Sequence, residues 1–302
     1  MTSLKVTDLL PETWFSGDVC IDTDFIFLPA GVPLPAKLKA LVQKWGFQEL
    51  FTEGETVREF RKTGEPAASG PEQIVQSQKI FATYCRFMEI TFTDFSAKKL
   101  LDYSELVTTS GRLVYFIEEN QHTILRIPVL DDNIPKSDII RHAVRSAILA
   151  ISIGIQFKMK EPHLIDLGIA TLVHEIGKLR IPPQLYTAGR WLSPTERNRL
   201  HTQPLLGGQI LASRQFPGTV IQGVMQHRER EDGSGYPRQL VNGSISPYGR
   251  IIAVACAFET ISSPRAQQNN INARQEMVDL LKNTGGKFDQ RVIDALRKSQ
   301  QK

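Results

Sequence analysis

The chain has 302 residues, 41% of them hydrophobic and 23% charged, with a formal net charge of +4 at pH 7 and a mean hydropathy of −0.20. This composition fits a soluble globular protein of two domains, or one large domain with a satellite. The mild positive charge permits an anionic ligand but does not argue for a nucleic-acid polymer as partner.

Three scattered cysteines, Cys20, Cys85 and Cys256, form no Cys-x-x-Cys pair, which argues against a zinc ribbon and against a disulfide framework. The longest apolar run, residues 147–155, is too short to span a bilayer, so no membrane insertion is expected. The first residues lack the charged-then-apolar layout of a secretory signal, and a cytoplasmic location is expected.

Residues 1–52 read as a small α/β or mostly β module. Strands are expected at 4–9, 19–28 and 47–51, a Gly/Pro turn at 29–33, and a short helix at 34–45 with Leu34, Leu38, Leu41, Val42 and Trp45 on one face. Residues 53–73 are polar and rich in Gly and Pro, the composition of a linker. Residues 74–130 read as connecting helices: one to about Leu101, a break at Thr108–Gly111, and a second from Arg112 to Ile127.

From about residue 131 to 302 every periodic segment is helical. Ser137 is a candidate N-cap for a helix over 138–157, and Pro162 opens the next, which ends near Gly177. Ser193-Pro-Thr-Glu196 combines capping-box spacing with Pro at the first helical position and starts a helix reaching His201. Further helices are expected at 204–212, 218–227, 250–262, 275–281 and 289–298, with a loop at Asp232-Gly-Ser-Gly-Tyr-Pro237. The fold class is mainly α, a helical bundle preceded by the small N-terminal module and its linker.

His142, His174, His201 and His227 recur at intervals of about one helix and its connection, so a bundle could project all four into one pocket. His174-Glu175-Ile-Gly-Lys178 is not a zinc-protease helix, because position 178 is Lys where a second His would be needed. An adjacent His and Glu can still reach one ion from a helix end. Asp138, four residues before His142, would share its helix face and could ligate or orient the ring; the alternative is an ordinary acidic residue in a first helical turn. Imidazoles with a carboxylate suit Fe, Mn, Zn or Ni.

In order, His142-x-x-Arg145, His174-Glu-Ile-Gly-Lys178, His201, Gln226-His-Arg-Glu229 and Asp232-Gly-Ser-Gly-Tyr-Pro237 resemble the HD-GYP family of bacterial cyclic di-GMP phosphodiesterases. The resemblance covers about residues 133–298 and implies a helical HD-type bundle that sets divalent metals against a cyclic dinucleotide. His142, His174, His201 and His227 match its ligand positions. Glu175 stands where the family has Asp, while Gln226 and Cys256 replace a His and an Asp. The resemblance also implies that Lys178 and Arg265 steady phosphate, with Gln268 at a second basic position. Gly233, Gly235, Tyr236 and Pro237 would face the nucleotide.

These departures bear on catalysis. Two neighbouring dications need carboxylates to offset them, and Glu175 is the one certain anion in the set. Gln226 offers a neutral amide, and Cys256 would bind as a thiolate that favours softer ions, or is simply a small core residue. One divalent ion is therefore expected rather than two, and none at all is the further alternative. Two functions stay open: a degenerate relative that binds cyclic di-GMP or a protein partner through the N-terminal module, and an active phosphodiesterase yielding pGpG or GMP. A general HD-type nucleotide hydrolase is disfavoured by the Gly-Tyr-Pro loop.

Overall fold

The structure, a computed structural model, describes residues 1–20, 26–28, 30, 33–34, 36–44, 47–57, 71–124, 137–187, 190–241, 243–262, 280, 283 and 286–300. The N-terminal module contains β1 (Thr2–Lys5), β2 (Trp14–Phe15), β3 (Val19–Cys20), β4 (Ile26–Leu28), α1 (Ala36–Lys44), β5 (Glu49–Thr52) and β6 (Thr56–Val57). An antiparallel sheet has the order β1-β5-β3-β4, and β2 pairs with β6 in a second, two-stranded sheet. The run at 19–28, expected as one strand, forms two that pair with each other. Alternation along a sequence reports which face is buried but not where the chain reverses. β1 ends at Lys5, short of Leu9, and Val6 bonds instead to the carbonyl of Gln48 at 2.9 Å.

Ten α-helices have both ends among the described residues. After α1 come α2 (Pro71–Lys98), α3 (Tyr103–Ile124), α4 (Asp138–Gln156), α5 (Glu161–Val173), α6 (Pro194–His201), α7 (Gln203–Ala212), α8 (Gly218–Gln226), α9 (Pro247–Ser262) and α10 (Gln290–Gln300). The expected helix at 275–281 lies outside the described residues except for Leu280.

The expected break at Thr108–Gly111 does not occur: α3 passes through it. Ser110 serves a close crossing instead: it donates to the carbonyl of Ile165 on α5 at 2.8 Å, and a Cβ on Gly168 of α5 would strike its Oγ. The chain reverses at 99–102, where Lys99 takes a left-handed φ of 60° and Asp102 accepts from the Glu105 N–H at 3.1 Å.

α4 is the central helix. Its buried positions run almost unbroken from His142 to Gly154, so it is covered on nearly every side. α5 and α9 pack along it, α2, α3 and α10 cover further faces, and α8 bridges α5, α7 and α9. Ser137 holds the N-cap position of α4 without a side-chain capping bond, whereas Ser193 and Glu196 form the full reciprocal box before α6. Among the described residues no helix is long and apolar enough to cross a membrane.

Candidate metal centre

Three helices deliver imidazoles to one buried point. His142 comes from the first half of α4, while His174 and His227 stand at the C-caps of α5 and α8. The ring centroids of His142 and His174 are 5.1 Å apart, and those of His174 and His227 are 4.9 Å apart.

Both helix ends use the same device to aim a ring. His174 Nδ1 lies 2.6 Å from the carbonyl of Thr171, and His227 Nδ1 lies 2.7 Å from that of Val224. A carbonyl can only accept, so each Nδ1 carries the proton and each Nε2 keeps its lone pair. The bond also satisfies a carbonyl that the helix end would leave open. His142 is fixed differently: its Nδ1 contacts the Glu259 carboxylate of α9, which leaves Nε2 facing inward. The Nε2 atoms of His142 and His227 are buried without a hydrogen-bond partner.

Glu175 follows directly on His174 because α5 ends there. Its backbone sits at φ −93°, ψ 2°, and a tight 3₁₀ turn continues over Ile176–Arg180. That break in helical spacing lets two consecutive side chains turn to the same interior. Gly177 permits it, since a Cβ there would collide with the Gln203 carbonyl of α7. Glu175 is fully buried and held by two cations, with Arg228 at 2.8 Å from Oε1 and Lys178 on Oε2. Burial pushes its pKa up, but Lys178 and Arg228 outweigh this and hold the carboxyl well below the ordinary range.

Cys256 of α9 lies against the other side of His174, with Sγ 3.3 Å from Nε2. Burial raises its pKa, and the nearby imidazoles of His174 and His142 more than reverse that, holding the thiol well below its usual value. His142 is raised to about 9, since Glu259 outweighs the opposing effect of burial. His227 is pushed well below its ordinary value by burial, with His174 and Arg228 adding to the effect.

These donors form two triads whose ligand atoms lie within 4.8 Å of one another: His142, His174 and Cys256, and His174, Glu175 and His227. The orphaned, buried Nε2 atoms and the thiol and carboxylate beside them fit a divalent ion. Both triads draw on the same His174 nitrogen, because Nδ1 is spent on Thr171.

The remaining sequence candidates fall outside the triads. The His201 ring stacks on Tyr236 at 3.9 Å with an interplanar angle of 7°. Gln226 turns its Oε1 to the Ser246 N–H at 2.6 Å. Asp138 is half-exposed and pairs with Arg141 at 2.7 Å. Lys178 lies over the Tyr186 ring, 5.8 Å from its centroid, as well as on Glu175. Arg265 and Gln268 lie outside the described residues.

The loop 232–237 is built on Glu229, a buried carboxylate that accepts from the N–H groups of Arg238 at 2.7 Å and Leu240 at 3.0 Å. A side chain on Gly235 would strike the Glu229–Arg230 backbone, so glycine is required for the loop to close on its own stem. The N–H groups of Gly233, Ser234 and Tyr236 are bonded within this segment, to the Arg230 carbonyl, Asp232 Oδ1 and the Arg228 carbonyl. The Tyr236–Pro237 peptide is cis.

Sequence reasoning passed over Glu259, Arg228 and Glu229. Glu259 is legible in retrospect as a carboxylate interrupting the apolar run of α9, three residues after Cys256 and so on the same face. Arg228 and Glu229 flank His227, yet only the folded loop shows which way each side chain turns.

Residues 127–292, more than half of the chain, match the family model described as HD domain, and the chain belongs to that family. It is 24% identical over 285 residues to the cyclic di-GMP phosphodiesterase PdeB of Borreliella burgdorferi, covering 90% of this chain and 72% of that protein. It is 30% identical to the cyclic di-GMP phosphodiesterase PA4108 of Pseudomonas aeruginosa, over 52% of this chain and 38% of that one. Another relative, the response regulator RpfG of Xanthomonas campestris, a cyclic di-GMP phosphodiesterase, is 30% identical over 50% of this chain and 41% of its own. The chain thus spans well under half of these last two. The solved structure of Bd1817, an HDG"Y"P protein from Bdellovibrio bacteriovorus, matches 98% of both chains with a TM-score of 0.59 at 16% identity, which shows the shared fold.

Proposed function

We propose that this chain is a cyclic di-GMP-responsive HD-GYP protein that holds at most one divalent ion and binds the dinucleotide without efficient hydrolysis. The observation that carries the reading is the single available nitrogen of His174. It belongs to both donor triads, and one lone pair cannot serve two ions. Two further features support it. Glu175, which would have to neutralise a second ion, is already paired with Lys178 and Arg228. His201 and Gln226, which the family resemblance would make ligands, are engaged with Tyr236 and Ser246.

A bound ion would supply Lewis-acid polarisation of a phosphate. The chain's own groups would do the recognition. Lys178 and Arg228 place positive charge beside the buried carboxylate, and the Tyr236 ring, seated on His201, offers an aromatic surface at the rigid loop. The N-terminal module is a candidate contact for a protein partner.

A second reading, a phosphodiesterase that releases pGpG or GMP, draws on the unpartnered Nε2 atoms of His142 and His227, which are poised as ligands would be. Metal content and cyclic di-GMP turnover, measured on one preparation, separate the two. Saturable binding with at most one ion and no product supports the first; product formation sinks it.

A further inference from the structure

We infer that the ion-binding triad of this chain is His142, His174 and Cys256, a two-imidazole, one-thiolate site that selects Zn²⁺ or Co²⁺ over Mn²⁺ and Mg²⁺. This rests on the reading that the centre holds an ion at all, and deepens it by naming the ligands and the class of ion.

Zinc binds sulfur at about 2.3 Å and nitrogen at about 2.0 Å, so a tetrahedral site separates the two donors by roughly 3.6 Å. Cys256 Sγ and His174 Nε2 are 3.3 Å apart, within a few tenths of an ångström of that spacing. His142 Nε2 is fully buried, lacks a hydrogen-bond partner and lies within 4.8 Å of both other donors.

In the competing triad the carboxylate of Glu175 is in contact with both Lys178 and Arg228. A dication arriving there would displace one cation or sit beside two. Around the cysteine triad the balance is reversed. The thiolate brings one negative charge, and Glu259 brings another through the far side of the His142 ring. Arg145, at 4.0 Å from Glu259, offsets this in part. A carboxylate on the back of a ligating imidazole fixes its tautomer and strengthens it as a donor.

Thiolate with imidazole suits zinc and its spectroscopic surrogate cobalt, whereas Mn²⁺ and Mg²⁺ prefer oxygen donors. Any proton held on Cys256 Sγ or on His142 Nε2 leaves to solvent as the bonds to the metal form, with no change of oxidation state.

The test is a titration of the metal-free full chain with Co²⁺, followed by absorbance, with bound metal counted by equilibrium dialysis. The expected result is a near-ultraviolet sulfur-to-cobalt charge-transfer band that Zn²⁺ abolishes by displacement and Mn²⁺ leaves in place. The band should vanish in Cys256→Ser and persist in His227→Gln. Cys256→Asp provides a second variant, expected to bind an ion without the band and to admit Mn²⁺. Cobalt bound without the band, or a band unchanged in Cys256→Ser, overturns the cysteine assignment while leaving an ion site in place. Failure of the wild-type chain to take up Co²⁺ or Zn²⁺ overturns the ion site and with it the cysteine assignment, and leaves dinucleotide binding to be judged by its own assay.

Discussion

His174 and His227 stand at the ends of different helices in the same pose, each with Nδ1 turned back onto the carbonyl three residues earlier and the rings 4.9 Å apart at 80°. Neither ring is free to exchange its nitrogens without breaking that bond. The rings are therefore oriented by the protein alone, and on the proposed reading His174, which faces donors on both sides, limits the centre to one ion.

His174→Ala should abolish ion binding, since it removes a member of both triads. His227→Ala should leave one ion bound, because the triad with Cys256 survives. Metal content after dialysis checks the pair; equal loss in both variants would mean that the ion depends on His227.

Glu259→Gln should weaken Zn²⁺ binding by roughly 10–100-fold, the usual effect of removing the group that orients a ligating imidazole. Glu259→Asp should recover part of that loss if the shorter carboxylate reaches His142 Nδ1. Competition against a chromophoric chelator measures both, and a thermal melt of the metal-free variants separates loss of positioning from loss of fold.

Arg228→Met should destabilise the metal-free protein by on the order of 2 kcal/mol. This is less than the roughly 3–5 kcal/mol expected for a fully unpaired buried charge, because Lys178 still pairs with Glu175. Urea unfolding checks the size, and Glu175→Gln in the same background should recover part of the loss.

The same carboxylate predicts the direction of a pH effect. Its pKa is lower in the folded chain than the ordinary value of 4.5, with burial opposing and Lys178 and Arg228 prevailing. The stability it contributes is thus fully present above about pH 4.5 and is lost as pH falls below that value. Glu175→Gln should flatten this part of the acid-unfolding curve in metal-free protein. An unchanged curve would mean that other carboxylates control it.

Glu229→Ala should free the loop at 232–240, because it leaves the Arg238 and Leu240 N–H groups without their acceptor. A cost of about 1–3 kcal/mol follows if both stay dry. Faster hydrogen exchange at those amides, with little change in α4, is the expected outcome.

Much of the architecture was legible because local rules and burial agreed. The capping box at Ser193–Glu196, the apolar run of α4 and the long helix from about residue 72 announce themselves in spacing alone. Gly111 misled because a glycine that ends a helix and one carried inside it look alike until the neighbouring helix is placed, with Ser110 bonded to the Ile165 carbonyl. Within the centre, the spacing of His142, His174 and His227 suggested convergence, and the chain does bring these three together. It could not reveal that His201 would lie against Tyr236, or that Gln226 would turn to Ser246, since both depend on how the loops fold back. The roles of Arg228 and Glu259 were hidden for the same reason: their contacts, Glu175 and His142, lie far away in sequence.

The most direct test counts metal ions in the purified full chain and, on the same sample, follows cyclic di-GMP by binding and by product analysis. The account predicts at most one ion per chain, saturable binding of the dinucleotide and no accumulation of pGpG or GMP. Two ions per chain together with turnover to pGpG or GMP would contradict it.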